Sequence, residues 1–448
     1  MTRIVVIGGG SYSWGPKFLR DIFATPELQG STIVLHDLVE QRVDLVYTLA
    51  QKMIEAFHLD FRLEKTLSLA AALQGADFVI LTITTGRLES MRADLEIPAA
   101  YGIRQAVGDT TGPGGLARAL RNIPVVAEIA RKVDELCPHA WFLNYTNPMS
   151  VLTRTICMHR TVPQRTVGLC HEFIGVRHHL ASLFGVAPEQ IQAKVAGINH
   201  LVWITDLYAN GRRVWDEMPR IAGSILAGEI VVDGDNGSVF ADHAKVKSTL
   251  FNLYGALPAA GDRHVAEFFP HFITEQTAWG KDFAFALTGV DDRLRMEAGA
   301  EAWLRAGVRG EWPLAPFMQK VSGEAANDIL CAARTGKPYV GIMNLPNVGQ
   351  VSNLPHGAVV ETFGLIDQTG ASAMTFGALP AGVQTLLAHH VNQQEMTVQA
   401  ALTGDRTLAL QVILNDPLSG RLSIEQARQM LQAMLEANRR YLPQFFGG

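Results

Sequence analysis

The feature that most constrains this chain is its first stretch, where a β-branched run, Arg3 to Ile7, enters a turn containing Gly8, Gly10 and Gly15. A helical pattern, Pro16 to Ala24, follows at once. A strand that runs through glycines into a helix belongs to a parallel sheet, because the helix must carry the chain back to start the neighbouring strand. The pattern then repeats. Thr32 to Leu35 is a second strand ending at His36-Asp37, and Glu40 to Phe57 carries apolar residues at helical spacing. Further buried strands are expected at Ala76 to Ile83, Ala140 to Asn144 and Thr166 to Leu169, with a helix from about Gly114 to Leu136. The expectation is an α/β fold in which residues 1–165 form a Rossmann-type, doubly wound and mostly parallel sheet.

Beyond about residue 170 the rhythm changes to longer helical stretches, Asp291 to Ala306, Phe317 to Ala333 and Ile424 to Tyr441. Strand-like pieces at Ala193 to Ala196 and Leu201 to Tyr208 suggest a small added sheet. The segment Asn344 to Glu361, with Pro346, Gly349, Pro355 and Gly357, reads as extended loop and turn. Residues 166–448 are therefore expected to form a larger α+β domain that closes a site shared with the first. A chain of 448 residues, 48% of them hydrophobic, is long enough for two coupled cores.

Charge and cysteine usage exclude several partners. The 43 acidic and 38 basic residues are spread along the chain without a basic stripe, which argues against nucleic acid. Cys137, Cys157, Cys170 and Cys331 show no short paired spacing, so neither a disulfide framework nor a four-cysteine zinc site is expected. With no charged leader or long apolar stretch at the start, the expected setting is cytoplasmic, away from membranes. Broad apolar helix faces in the second half suggest a homodimer or homotetramer.

The glycine turn offers what a dinucleotide needs: a tight bend, close backbone approach to pyrophosphate, and a helix N-terminus aimed at it. Gly8, Gly10, Ser11, Tyr12 and Ser13 are the expected contacts, although Ser13 stands where a third glycine is usual. Asp37, at the end of the second strand, suits the ribose hydroxyls of NAD and would repel the extra phosphate of NADP. Thr84 and Asn144, after or at the ends of later strands, complete this expected cofactor set.

Four later clusters bear on the chemistry. Gly108-Asp109-Thr110-Thr111-Gly112-Pro113-Gly114-Gly115 is a glycine-rich loop opening a helix, and it would present Asp109 to a bound ligand. Asn144-Tyr145-Thr146-Asn147-Pro148 ends a buried strand, where ligands meet a parallel sheet. Cys170-His171-Glu172 and Gly197-Ile198-Asn199-His200 complete the group. Residue by residue, each has a plain structural explanation, since cysteine is a small core residue and a lone histidine is commonly a satisfied side chain. The residues by themselves leave open a Cys170/His200 metal site, a simple NAD-dependent dehydrogenase of a hydroxy acid or sugar, and a non-catalytic NAD-binding protein.

The glycine turn, GDTTGPGG, NYTNP, CHE and GINH, in this order, resemble family 4 of the glycoside hydrolases, the NAD- and divalent-metal-dependent α-glucosidase, α-galactosidase and 6-phospho-glycosidase group. The resemblance extends less sharply to Gly261-Asp262-Arg263-His264 and to Asn344-Leu345-Pro346-Asn347. Lactate and malate dehydrogenases share the expected fold but lack the Cys-His-Glu and Asn-His pair. The resemblance implies a metal, usually manganese, on Cys170 and His200. It also implies a cycle in which NAD oxidises carbon 3 of the sugar, the bond at carbon 1 breaks by elimination, water adds and the hydride returns. By position, Asn147, His171 and Arg263 are expected to bind the small-molecule glycoside. Asp262 is the expected base, with Asp109 beside it, and His171 is a catalytic candidate where phospho-sugar members carry an aspartate. His264, Glu267, Arg87 and Arg92 are further candidates for sugar contacts. The Cys-His-Glu subgroup acts on non-phosphorylated α-glycosides, which makes an α-glucosidase the first expectation, with α-galactosidase, α-glucuronidase and 6-phospho-glycosidase as alternatives.

Overall fold

A computed structural model describes residues 2–232, 240–320 and 322–447. Its strands are β1 (Arg3–Ile7), β2 (Thr32–His36), β3 (Arg62–Thr66), β4 (Phe78–Leu81), β5 (Trp141–Asn144), β6 (Thr166–Gly168), β7 (Ile191–Ile198), β8 (Leu201–Ala209), β9 (Arg212–Arg213), β10 (Leu257–Pro258), β11 (Tyr339–Pro346), β12 (Val359–Ile366) and β13 (Ala371–Ala373). They form one sheet in the order β10-β8-β7-β12-β11-β6-β5-β4-β1-β2-β3, with β13 beside β12 and β9 beside β8. The stretch β3-β2-β1-β4-β5-β6 is parallel, the strand order of a dinucleotide-binding fold. From β11 onward every pairing is antiparallel. The small second sheet expected from the sequence is thus an extension of the first.

Burial explains the strand sequences. β2, β4 and β5 are buried along their whole length and read as apolar runs, whereas the edge strand β3, RLEKT, keeps its charges half-exposed or exposed. Alternate residues of β1 face opposite cores. Val5 and Ile7 meet Leu120 and Ile123 of the helix Gly112–Leu136, together with Met430 and Met434 from the helix Ile424–Ala437. Ile4 and Val6 meet Phe18, Val46 and Leu49, with Ile329 and Leu330 joining from the second half. C-terminal helices therefore cover both faces of the N-terminal sheet.

Two sequence expectations need correcting. The continuous helix expected from Phe317 to Ala333 is broken into Leu314–Met318 and Ala326–Thr335. Between them Ser322 donates its backbone N–H to Asp21 at 3.2 Å, and Gly323 takes φ +77°, which ends helical geometry. The loop expected over Asn344 to Glu361 is strand at both ends, because Asn344 pairs with Gly168 and Glu361 lies opposite Asn344. The helices Arg87–Ala100 and Ala381–Thr403 were not foreseen. The second is buried on several sides, so its apolar residues do not trace one stripe.

Gly8 shows how tightly the opening turn is built. Its φ is +87°, and a Cβ there would stand 1.9 Å from the Thr82 carbonyl oxygen. Gly75 has φ +66° with nothing within 4 Å. In urea unfolding, Gly75→Ala is expected to cost about 1 kcal/mol from backbone strain alone, and Gly8→Ala roughly 2–4 kcal/mol from strain plus the displaced β4 loop. Equal midpoint shifts would refute the close-approach argument.

Candidate active site

The glycine turn is stitched to β2. Gly8 and Gly9 both donate to the His36 carbonyl at 2.9 Å, and Gly15 donates to Ser11 at 2.9 Å as the helix Gly15–Phe23 begins. Asp37 spans the mouth of this turn, accepting Gly10 N–H at 3.0 Å and Val39 N–H at 3.1 Å. Ser13 is exposed beside it. Tyr12 departs from the expected role: it is buried, and the Arg42 guanidinium stacks 3.8 Å over its ring, so it braces the turn from the side of the helix Glu40–Phe57. Asn144 also differs from expectation. It is fully buried, and its amide is spent on Thr146, Thr153 and Met149, which hold the NYTNP turn with its cis Asn147–Pro148 bond. Thr84 accepts from Arg118 at 3.3 Å.

At the same edge of the sheet, ligand atoms of Asp109, His200 and His264 lie within 4.8 Å of one another. His200 sits at the β7–β8 turn with φ +65°, a conformation uncommon outside glycine. Its ring is 3.8 Å from that of His264. Thr110 donates to Asp109 Oδ1 at 2.8 Å and contacts His200 Nδ1 at 2.7 Å. A hydroxyl has one proton. With that proton on the carboxylate, the Thr110 oxygen must accept from Nδ1–H, and this leaves Nε2 of His200 with a free lone pair.

Burial lowers the His200 pKa to about 3, with His264 adding to the effect, and burial likewise lowers that of His264. Both rings are neutral donors at pH 7. Burial alone would raise the Asp109 carboxyl, but His264, Arg118, His200 and Arg293 hold it well below the ordinary range. A neutral histidine pair facing an ionised carboxylate, with His264 Nδ1 buried and unpartnered, fits a divalent cation. Cys170 lies outside this three-residue group. Its half-buried thiol is pushed up by burial and by Glu361 and Glu172, with Asn199 opposing.

Glu172 is the centre of a second set. It accepts from Gly261 N–H and stands 3.7 Å from His264 Nε2 and 3.9 Å from His171 Nε2. Although burial opposes ionisation, His264, His200 and His171 pull it down to about 2. His171 is at the rim, 3.6 Å from Glu324 on its other side. Asn147 turns its amide to Asp109 Oδ2 at 3.4 Å, and its Oδ1 is buried without a partner.

Asp262, expected as the base, accepts three hydrogen bonds within the protein. It accepts from Val246 N–H at 3.0 Å, Lys247 N–H at 3.1 Å and Lys247 Nζ at 2.9 Å, and so caps the helix Lys245–Tyr254. Arg263 bonds Thr288 and stacks over Phe240. Arg87 and Arg92, considered for sugar contacts, instead pair with Glu297 and Asp291 at 2.6 Å and fasten the helix Val290–Arg309 to the first domain.

The sequence reading missed Thr110 as the link to His200, Arg118 and Arg293 as cations near Asp109, and Glu361, which accepts from Asn199 and Asn344 at 3.0 Å. Arg118 stands one helical turn after the glycine loop, which was a usable signal; Arg293, inside the charged run DDRLR, looked like solvated surface.

The family model for family 4 glycosyl hydrolases matches residues 3–186, and that for the family 4 glycosyl hydrolase C-terminal domain matches residues 195–419. The chain belongs to glycoside hydrolase family 4. It is 36% identical to an α-galacturonidase of Bacillus subtilis, over 97% of both chains. It is 31% identical to an α-galactosidase of Rhizobium meliloti, over 99% of this chain and 89% of that one. Among solved structures, a 6-phospho-α-glucosidase from gut microorganisms in complex with NAD and Mn2+ superimposes with a TM-score of 0.81 at 22% identity, covering 99% of each chain. Among the described residues no helix is long and apolar enough to cross a membrane.

Glu267 gives a test of the electrostatics. It accepts Val107 N–H at 2.7 Å and Gly108 N–H at 2.8 Å, holding the Asp109 loop, and burial pushes its pKa up to about 8 from 4.5. The folded state thus keeps a proton that the unfolded chain releases between those values, so this contribution to stability is full below pH 4.5 and fades as pH rises through 8. Glu267→Gln should melt near the wild type at pH 5 and on the order of a few °C higher at pH 8.5. A melting difference independent of pH would show that Glu267 does not titrate in this window.

Proposed function

We propose that this chain hydrolyses α-galacturonides with NAD and a divalent metal, of which manganese is the first candidate. The observation that carries the reading is the donor set Asp109, His200 and His264 in a chain whose parallel sheet also carries a dinucleotide turn closed by Asp37. The similarity to a named α-galacturonidase supports the galacturonide over the α-glucoside suggested by the motifs alone. Asp109, His200 and His264 would hold the ion, with the Cys170 thiol at the end of β6 as a further donor. When bound, NAD supplies a hydride acceptor and the ion a Lewis acid.

The chain's own groups do the remaining work. Asn147 offers a buried, unpartnered Oδ1 as an acceptor for a sugar hydroxyl. Arg118 donates to the Asn147 carbonyl at 3.0 Å and keeps that turn in place. His171, exposed at the rim between Glu172 and Glu324, would hand a proton to the departing oxygen, a role its contacts with both carboxylates support. Asp262 acts at a distance: it fixes the start of the short helix Asp262–Ala266, which carries Arg263 and His264.

Purified protein given 4-nitrophenyl α-galacturonide should release nitrophenol only with both NAD and Mn2+ present, and NADH should not accumulate. Steady NADH formation without bond cleavage would overturn the reading in favour of a dehydrogenase. His171→Gln should slow hydrolysis of a galacturonosyl disaccharide by about 100-fold or more, and of the 4-nitrophenyl substrate by far less, because a good leaving group needs little acid help. Equal losses on both would remove His171 from the acid role.

A further inference from the structure

Arg293 has an environment that neither the fold nor the donor set explains. It lies in the first turn of the helix Val290–Arg309, and its Nε is buried with no hydrogen-bond partner. Among the described residues no carboxylate stands within ion-pair distance of its guanidinium, although its neighbours on the helix are all paired. Asp291 is taken by Arg92, Glu297 by Arg42 and Arg87, and Asp292 by the Gly289 N–H and Arg295. The turn that carries Arg293 is locked to the site: Thr288 N–H donates to the Ala106 carbonyl at 3.0 Å, and the Thr288 hydroxyl receives Arg263.

Neither nearby acid pairs with it. Asp109, which shares the field of Arg293, holds Thr110 and Asn147. Glu267 holds two backbone N–H groups through Oε1, and although its Oε2 is buried without a partner, burial raises its pKa to about 8, so it offers no counter-charge at neutral pH. The other cations near Asp109 are engaged with neutral partners, Arg118 with the Asn147 carbonyl and Thr84, and Arg263 with Thr288. An unpaired, half-buried guanidinium is costly, and it is best relieved by a planar anion that takes two of its N–H groups at once.

We infer that Arg293 receives the carboxylate on carbon 6 of the uronosyl ring and is the residue that separates galacturonides from galactosides. This rests on the galacturonide reading above. A galactoside carries a hydroxymethyl group at the same carbon, whose single uncharged oxygen cannot meet both prongs of the fork in parallel and leaves the guanidinium charge uncompensated.

The test uses the NAD- and Mn2+-loaded enzyme with 4-nitrophenyl α-galacturonide and 4-nitrophenyl α-galactoside, and inhibition by free galacturonate and by galactose 6-phosphate. For Arg293→Met the ratio of the two kcat/KM values, uronide over galactoside, should fall about 100-fold. Inhibition by galacturonate should weaken in parallel. Arg293→Lys, which keeps the charge and loses the fork, should fall between, and it decides the matter if the methionine variant does not fold.

A ratio unchanged within about threefold overturns the assignment, and if the wild type still prefers the uronide the proposed function stands without it. A wild type that prefers the galactoside sinks both. Tighter, Arg293-dependent inhibition by galactose 6-phosphate than by galacturonate overturns the carboxylate in favour of a phosphate.

Discussion

The whole site depends on one close approach in the middle of the sheet. At Gly168 the last parallel strand meets the first antiparallel one, and Gly168 is the residue of β6 that pairs with β11, opposite Asn344. A Cβ at Gly168 would stand 2.4 Å from the Thr153 hydroxyl, 2.8 Å from Met149 Sδ and 3.0 Å from the Asn344 Cβ. Those atoms are the ones that hold Asn144 and its turn on one side and β11 on the other. From this point a polar row crosses the strands: Asn144, Gly168, Asn344, Glu361 and Gly197 are successive partners. Glu361 ties the row to Asn199, the neighbour of His200, while Cys170 follows Gly168 by two positions. A single glycine thus sets the spacing of donors that come from both halves of the chain.

Charge is arranged around the site as deliberately as shape. Buried histidines are kept neutral, so their lone pairs are available, while Glu172 and Asp109 are kept ionised against the cost of burial. Glu267 and Glu361 go the other way, raised by burial to about 8 and about 7; Glu267 accepts two N–H groups of the Asp109 loop, and Glu361 accepts the side-chain amides of Asn199 at the β7–β8 turn and Asn344 in β11. Two carboxyls are therefore used for charge and two for architecture. The distinction follows from their surroundings: the ionised pair faces several cations and imidazoles, whereas the raised pair hydrogen-bonds neutral N–H groups and feels a neighbouring carboxylate, Asp109 for Glu267 and Glu172 for Glu361.

Local signals carried the first half of the fold well. The helix Glu40–Phe57 was bounded correctly to the residue, because a β-branched strand, an acidic start and a regular apolar stripe agree there. The continuation of the sheet was illegible for a physical reason: β11 and β12 contain or border Asn344, Pro346 and Glu361, which look like loop residues until one sees that their side chains bond across the strands. Among site residues, those in glycine-bounded loops at strand ends were visible as such. Arg293 and Glu361 were not, since a charged residue in a helix or strand gives no sign in the sequence of whether its partner is water, a salt bridge or a ligand.

Asp262 shows the same limit from the opposite side. The family resemblance of Gly261-Asp262-Arg263 made it the expected base, and it begins the short helix that bears His264. Yet a carboxylate that accepts from Lys247 Nζ and two N–H groups of one helix spends three acceptor sites inside the protein. Its effect on chemistry runs through geometry, because the same turn offers Gly261 N–H to Glu172 and so joins the Cys-His-Glu segment to the helix bearing His264. The segments that carry Glu172 and His264 are coupled through the backbone of residues 261 and 262. A change at Asp262 is thus transmitted to His264 and Glu172 together through the geometry of that turn.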